Sequence, residues 1–591
     1  MVVALVLMSA KAQTTAHAAT APVVRPLKLE TNGQFRLLLA GDPGSNYAVE
    51  ASMDVTNWLF LSAGTATNGT VEVVDDRALN YSRRFYRGRS ARADDIPNPL
   101  NAVIALDASL MARAIIPVEG GSLSLTNPEG TRFTLSIPTN ALLSPEEISM
   151  TLVTNVTDPE GLALAGTNGR GAVQLGPDGL RLFGPAILTI ESSTPVGTNE
   201  VIGFAYEGAG TEVHLYPQEV NGQTVTFRVL NFSGYGAGQG NSPDLSGYTP
   251  TSVEDRSLQA LAQLLNDARR NGTQPDLDKA EMILGEWFDA SVKASVTDAK
   301  SNEVVLDEAA MEYLRWRERA AVLGIEARLQ DKVEYGLKAL AQGVNNAVNQ
   351  AYARCTQHDV TEIRNILRRA LMGSALGLVP YGFDQDGALD KANKCAHFEL
   401  DMESEILMDQ GPGGVMVTKV RALVPIMNAG TFNQYIGEGP LTYVNVVYPP
   451  PPPLPNASCT TPVASAIGST ERVIAMTINW NFNITKFFRP VSPKVILVMD
   501  PGEPLEHVHY DCTFNPPGIT VPVNLFDHPA GAWKSGFMAL HADELNQTFG
   551  GFLIQDWAYI GTSIFATKPY QRTAGKFTET TTFDLKHTPE P

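Results

Sequence analysis

Apolar and polar positions alternate with a period of two through most of the first 240 residues. Phe35-Arg36-Leu37-Leu38-Leu39 and Tyr47-Ala48-Val49-Glu50-Ala51 read as strands around the turn Gly41-Asp42-Pro43-Gly44. Asn57 to Leu61, Val71 to Val74 and Arg84 to Arg87 continue the series, giving a small β module over 27–92. A second run of short strands, broken by Gly, Pro and Asn, fills 115–237. Its landmarks are Gly120 to Leu125, Phe133 to Ile137, Gly176 to Phe183, Pro185 to Ile190 and a closing segment Asn231 to Gly236, where Gly234 and Gly236 are expected to end the strand. That rhythm predicts a β-sandwich.

The period then changes. Residues 238–250 are rich in Gly, Ser, Pro and Asn and read as a linker. Thr251-x-x-Glu254 has the form of a capping box, and Leu258, Leu261, Leu265 and Ala268 fall on one helical face until Asn271-Gly272. Pro275 to Ala290 predicts a second helix, with Ile283, Trp287 and Phe288 inward. From Asp307 onward Leu314, Ile325, Leu329, Val333, Leu337, Leu340, Val344, Val348 and Tyr352 recur mostly at three- and four-residue steps, enough for two stacked helices or a single long one. With a further helix capped by Asp359-x-x-Glu362, residues 251–394 are expected to form a bundle of four or five helices. Its charged positions, Arg315, Arg317, Glu318 and Arg319 among them, read as a solvated face.

From Cys395 the alternation returns, at Phe398 to Glu403, Val415 to Val420, Val473 to Ile478 and Val495 to Met499. Tyr435 to Tyr443 reads as a tight turn between strands, and Pro449 to Pro453 as a stiff polyproline loop. Residues 395–591 are therefore expected to be an all-β domain. The fold class is multidomain and mainly β with an inserted helical bundle.

Composition narrows the function. With 44 Lys and Arg against 63 Asp and Glu, the chain carries a net charge of −19, which disfavours nucleic acid and anionic lipid as partners. Met1 to Met8 is an apolar run followed by Ser9-Ala10-Lys11-Ala12, which predicts a signal peptide over 1–12 and a secreted, periplasmic or cell-surface destination. No later apolar run reaches the roughly 18 residues of a membrane span. The four cysteines, Cys355, Cys395, Cys459 and Cys512, allow three pairings; sequence proximity favours Cys355–Cys395 and Cys459–Cys512. Their spacing is not that of a structural zinc site.

Two resemblances add to this reading. Tyr47, Asp54, Asn57, Trp58 and Arg84-Phe85-Tyr86-Arg87 resemble a small repeat module of secreted bacterial proteins. The Gly120-Gly121 pair, Ile137-Pro138-Thr139-Asn140-Ala141-Leu142 and Gly176-Pro177-Asp178-Gly179 resemble the ZU-type domain of zonula occludens protein, ankyrins and netrin receptors, with Leu182 in place of that family's phenylalanine. Some members of that family cut themselves at His-Phe-Ser. The matching triplet here is Asn231-Phe232-Ser233; asparagine is no base near neutral pH, so no self-cleavage is expected.

Candidate chemistry is sparse. His507, His509 and Asp511 alternate within one segment and would share a strand face, the one grouping that suits a transition metal. Asp384-Gln385-Asp386-Gly387 lacks the later glutamate of a calcium loop and reads as a plain loop. No phosphate-binding loop, dinucleotide fingerprint or nucleophile elbow occurs. The reading is an exported, modular binding or scaffold protein with a protein or glycan partner and no required cofactor. The alternatives are a secreted hydrolase or metal-dependent enzyme with its site in 395–591, and a carbohydrate-binding protein using Trp58, Trp480 and Trp557.

Overall fold

A computed structural model describes residues 22–29, 34–157, 163–165, 171–193, 201–239, 245–357, 361–409, 415–431 and 434–447, apart from a few single positions. Beyond these it describes Asn483 and the strand residues 457–459, 470–479, 494–499, 507–514, 520–527, 550–554, 557–560, 563–566, 570–574 and 577–589. The expected signal peptide, the polyproline run, Asp359 and Trp480 lie outside the described residues. The chain forms two compact units. The first holds residues 1–347, 369–385 and 482–489, and the second holds 348–368, 386–481 and 490–591.

The first unit opens with six strands: β1 (Val23–Leu29), β2 (Phe35–Ala40), β3 (Asn46–Ser52), β4 (Leu59–Thr65), β5 (Thr70–Asp75) and β6 (Phe85–Ser90). They make two antiparallel sheets, ordered β1-β2-β5 and β4-β3-β6, around Leu37, Leu39, Tyr47, Val49, Val73 and Tyr86. Tyr47 and Tyr86 are buried, as core residues should be.

Twelve strands follow: β7 (Val103–Ile116), β8 (Gly121–Thr126), β9 (Arg132–Ile137), β10 (Glu146–Thr157), β11 (Ala163–Ala165), β12 (Gly171–Gly176), β13 (Arg181–Glu191), β14 (Val201–Glu207), β15 (Thr211–Leu215), β16 (Glu219–Asn221), β17 (Thr224–Asn231) and β18 (Gly234–Gln239). One antiparallel sheet runs β11-β10-β12-β18-β14-β15, with β7 also on β10; the other runs β16-β17-β13-β9-β8. The sheets meet as a sandwich, with the rings of Phe227 and Tyr235 6.4 Å apart across the core. Gly234 and Gly236 do not end a strand, contrary to the sequence reading. They lie inside β18, where a Cβ would stand 1.8 Å from the Tyr206 ring and 2.4 Å from the Phe204 ring. Glycine is required there because aromatic rings on β14 lie flat across the neighbouring strand.

The helices are α1 (Val253–Asn271), α2 (Leu277–Trp287), α3 (Lys293–Ala299), α4 (Glu303–Val322), α5 (Gln330–Cys355), α6 (Thr361–Ala375) and α7 (Gln385–Cys395). A π-helical turn, Phe288–Val292, joins α2 to α3. The described helices thus exceed the four or five expected. The cap of α1 is also displaced by one residue. Ser252, not Thr251, accepts from the Asp255 amide and donates to its carboxylate at 2.7 Å, while Thr251 bonds Glu212. Asp386-Gly387 falls in the first turn of α7 rather than in a loop. Gly324 stands at φ +69° between α4 and α5, so the long periodic stretch breaks into two helices at the residue able to adopt that conformation.

The second unit is built on antiparallel strands β19 (Phe398–Asp409), β20 (Val415–Thr431), β21 (Gln434–Val447), β22 (Ala457–Cys459), β23 (Thr470–Asn479), β24 (Lys494–Met499), β25 (His507–Phe514), β26 (Thr520–Asp527), β27 (Gly550–Ile554), β28 (Trp557–Ile560), β29 (Ser563–Ala566), β30 (Tyr570–Ala574) and β31 (Phe577–His587). Ten form one sheet, and β22-β25-β26 form another. The turn expected at Tyr435–Tyr443 is continuous strand β21. Its ladder to β20 lapses between Ile436 and Leu441, a span containing Pro440, which has no N–H to donate, while pairing to β23 persists throughout.

Two stability tests follow. Gly234→Ala should cost roughly 1–3 kcal/mol through overpacking against Tyr206, and Ser252→Ala about 1 kcal/mol through loss of the helix cap. Urea denaturation measures both; an unchanged midpoint in either variant contradicts the assignment.

Candidate functional site

The described residues of the first unit enclose a cavity of about 750 Å³. Strands β14, β15 and β18 supply one wall. His214 and Tyr235 both pair with Ala205 on either side of β14, so they project from the same face of the sheet. Tyr216 completes an aromatic cluster, its ring 5.3 Å from Tyr235 and 6.3 Å from His214. Helices α1 and α4 supply Glu254, Asp255, Glu308, Glu312, Arg315 and Arg319, while Asp75 and Arg84 come from the small β module.

The four cavity arginines are engaged. Arg315 holds Glu254 through two hydrogen bonds of 2.5 and 2.8 Å. Arg319, 6% exposed, donates to the Tyr216 hydroxyl and, at 3.1 Å, to the Arg228 carbonyl. Arg181 meets Glu308 at 2.6 Å, and the almost fully buried Arg84 meets Asp75 at 2.6 Å. Glu312 accepts from Ser291 and from Ser295, and burial raises its carboxyl above the ordinary range against the pull of those two hydrogen bonds. The sequence reading of Arg315 and Arg319 as a solvated face is therefore corrected: they turn inward, because Glu254 on α1, the Tyr216 hydroxyl and the Arg228 carbonyl on β17 present partners there. The signal available in sequence was the four-residue step from Arg315 to Arg319, beside the large apolar residues Tyr313 and Trp316.

His214 is held in one tautomer. Its Nδ1 lies 2.7 Å from the Glu212 carbonyl, an oxygen that only accepts, so Nδ1 carries the proton. Nε2 faces Asp255 Oδ1 at 3.6 Å, beyond hydrogen-bond reach. Burial raises the Asp255 carboxyl to about 6, against the lowering pull of His214.

Ser233 lines the same cavity, yet its hydroxyl donates to the Tyr206 carbonyl. The register sets Ser233 and His214 two strands and two residues apart, on the order of 12 Å between Cα atoms. The Phe232 carbonyl, which a self-cleaving serine would attack, accepts from Gly179 at 2.8 Å, and the Asn231 carbonyl accepts from Tyr235 at 2.6 Å.

In the second unit Cys355 and Cys395 form a disulfide, the pairing favoured by sequence. Cys459 and Cys512 stand opposite each other in the β22–β25 register; their side chains lie outside the described residues. His507, His509 and Asp511 occupy alternate positions of β25, and their side chains, with that of Trp557, also lie outside them. Trp58 is half-buried and stacked under the Arg87 guanidinium at 4.3 Å, so a cation already covers a ring face that a sugar would use. No helix among the described residues is long and apolar enough to cross a membrane. No protein-family model and no curated protein matches the chain.

The raised Asp255 carboxyl sets a pH dependence. Between about pH 4 and pH 6 the folded chain keeps a proton that the unfolded chain has released, so this group's contribution to stability falls as pH rises through that window. Asp255→Asn should flatten the fall and leave the variant more stable than the parent at pH 7.5, read from urea midpoints at pH 4 and 7.5. Identical pH profiles would contradict the assignment.

Proposed function

We propose that the chain is an exported, modular binding or scaffold protein, and that the cavity of its first unit receives the ligand. The observation that carries this reading is the cavity wall itself. Its arginines are engaged by carboxylates, a tyrosine hydroxyl or a backbone carbonyl, and Ser233, Ser252, Ser291 and Ser295 bond carbonyl or carboxylate oxygens rather than a histidine. A wall so arranged recognises shape and polarity; it offers no activated nucleophile. The Tyr216 and Tyr235 rings beside carboxylates that accept hydrogen bonds suit a hydroxyl-rich ligand such as a glycan.

Several features support the wider picture. The sequence resemblance of Gly120-Gly121, Ile137 to Leu142 and Gly176 to Gly179 to the ZU-type domain favours an interaction domain, though a shared fold never carries a shared function. The Cys355–Cys395 disulfide and the apolar leader favour an oxidising destination outside the cytosol. The position of Ser233 favours an uncut chain. The rival, a metal-dependent hydrolase built on β25, rests on the sequence alternation of His507, His509 and Asp511.

Two measurements test the proposal. A glycan array followed by thermal-shift titration should find a saturable ligand whose affinity falls at least tenfold in His214→Ala; array-wide silence, or turnover of the bound sugar, overturns the reading. Intact mass of the purified chain should show no cleavage between Phe232 and Ser233; fragments ending there contradict the assignment of Ser233.

A further inference from the structure

The Cys355–Cys395 bond has a third neighbour. His587, on the last strand of the second unit, is 1% exposed and brings Nε2 to 3.6 Å from Cys355 Sγ and 2.7 Å from the Cys395 carbonyl oxygen. Both cysteines are fully buried, and one donor atom from each of the three residues lies within 4.8 Å of the others. Such a grouping is invisible in the sequence, where His587 stands 192 residues beyond Cys395.

We propose that on reduction these three residues become a buried site for a thiophilic metal ion of the zinc class. Zinc bonds of about 2.3 Å to sulfur and about 2.0–2.1 Å to imidazole, at a tetrahedral angle, separate the two donors by about 3.6 Å. That is the spacing His587 already holds to Cys355. Two thiolates bound to one zinc stand about 3.8 Å apart. The Cα atoms of Cys355 and Cys395, 6.0 Å apart, suit the disulfide, and a rotation of the side chains opens the sulfurs to that separation. Two thiolates and an imidazole are a soft donor set that selects zinc over calcium or magnesium, and the Cys395 carbonyl oxygen lies beside them.

The steps balance. A dithiol reductant gives two electrons and two protons to the disulfide, leaving two thiols and its own cyclic disulfide. Metal uptake then releases both thiol protons to solvent, and the ion takes their place between the sulfurs. The imidazole stays neutral. In the disulfide form Nε2 donates to the Cys395 carbonyl; on loading, that proton moves to Nδ1 and Nε2 becomes a ligand.

The test uses the full chain, oxidised and after anaerobic reduction, titrated with zinc sulfate against a chromogenic chelator. The reduced chain should take up one zinc ion more than the oxidised chain, which subtracts any ion held at β25. His587→Gln should weaken that extra site at least tenfold. Zinc should also protect Cys355 and Cys395 from alkylation in the reduced parent chain, read by peptide mass mapping, which separates this pair from Cys459 and Cys512 and needs no variant to fold. Equal uptake by the two redox forms, unprotected Cys355 and Cys395, or undiminished affinity in His587→Gln each overturns the proposal.

Discussion

The first unit depends on where its arginines find partners. A guanidinium taken out of water costs several kcal/mol unless carboxylates or carbonyls receive its donors. Arg319 meets that demand with the Tyr216 hydroxyl and the Arg228 carbonyl, both on the sandwich, although the residue itself stands on α4. Arg181 does the converse, reaching from β13 to Glu308 on α4. Neither sheet nor helix could bury these charges alone. The small β module joins through Phe60, whose ring stacks under Arg256 of α1 at 4.8 Å. Residues that read as separate modules in sequence are thereby tied into one compact unit.

The same pairs shape the cavity. Each arginine that crosses from one element to another braces a wall and withholds a charge from solvent. Two acids hold no direct guanidinium bond: Glu312 sits on serine hydroxyls, and Asp255 faces the His214 Nε2 at 3.6 Å. Burial pushes both carboxyls upward, Glu312 against the pull of its serine hydrogen bonds and of Arg315, Asp255 against that of His214.

What was legible in the sequence was local. Strands such as Phe35–Ala40 and Phe398–Asp409 follow directly from alternation, while the periodicity left one long helix or two open, and Gly324 at φ +69° is where the break falls. What escaped was set by distant neighbours. Arg315 and Arg319 look like surface residues until Glu254 on α1 and the oxygens of Tyr216 and Arg228 on the sandwich receive them. Gly234 and Gly236 look like terminators until the rings of Phe204 and Tyr206 lie across them. Thr251 and Ser252 are equivalent as caps on paper, and Glu212 decides between them by engaging the threonine. The cavity combines all three cases, which explains why no motif announced it.

The closing strand of the sandwich shows how little a motif determines without its surroundings. In the resembling family a histidine, a serine and a carbonyl on this strand act together. Here the serine occupies the matching place, but its hydroxyl is engaged by the Tyr206 carbonyl, and the Phe232 carbonyl is engaged by Gly179. The histidine of this cavity arrives on β15 instead and turns toward Asp255. Proton transfer needs donor and acceptor within about 3 Å or one water, and the register sets the Cα atoms of Ser233 and His214 on the order of 12 Å apart. The strand thus contributes a wall of the cavity, and its serine and carbonyls are held by hydrogen bonds within the sandwich.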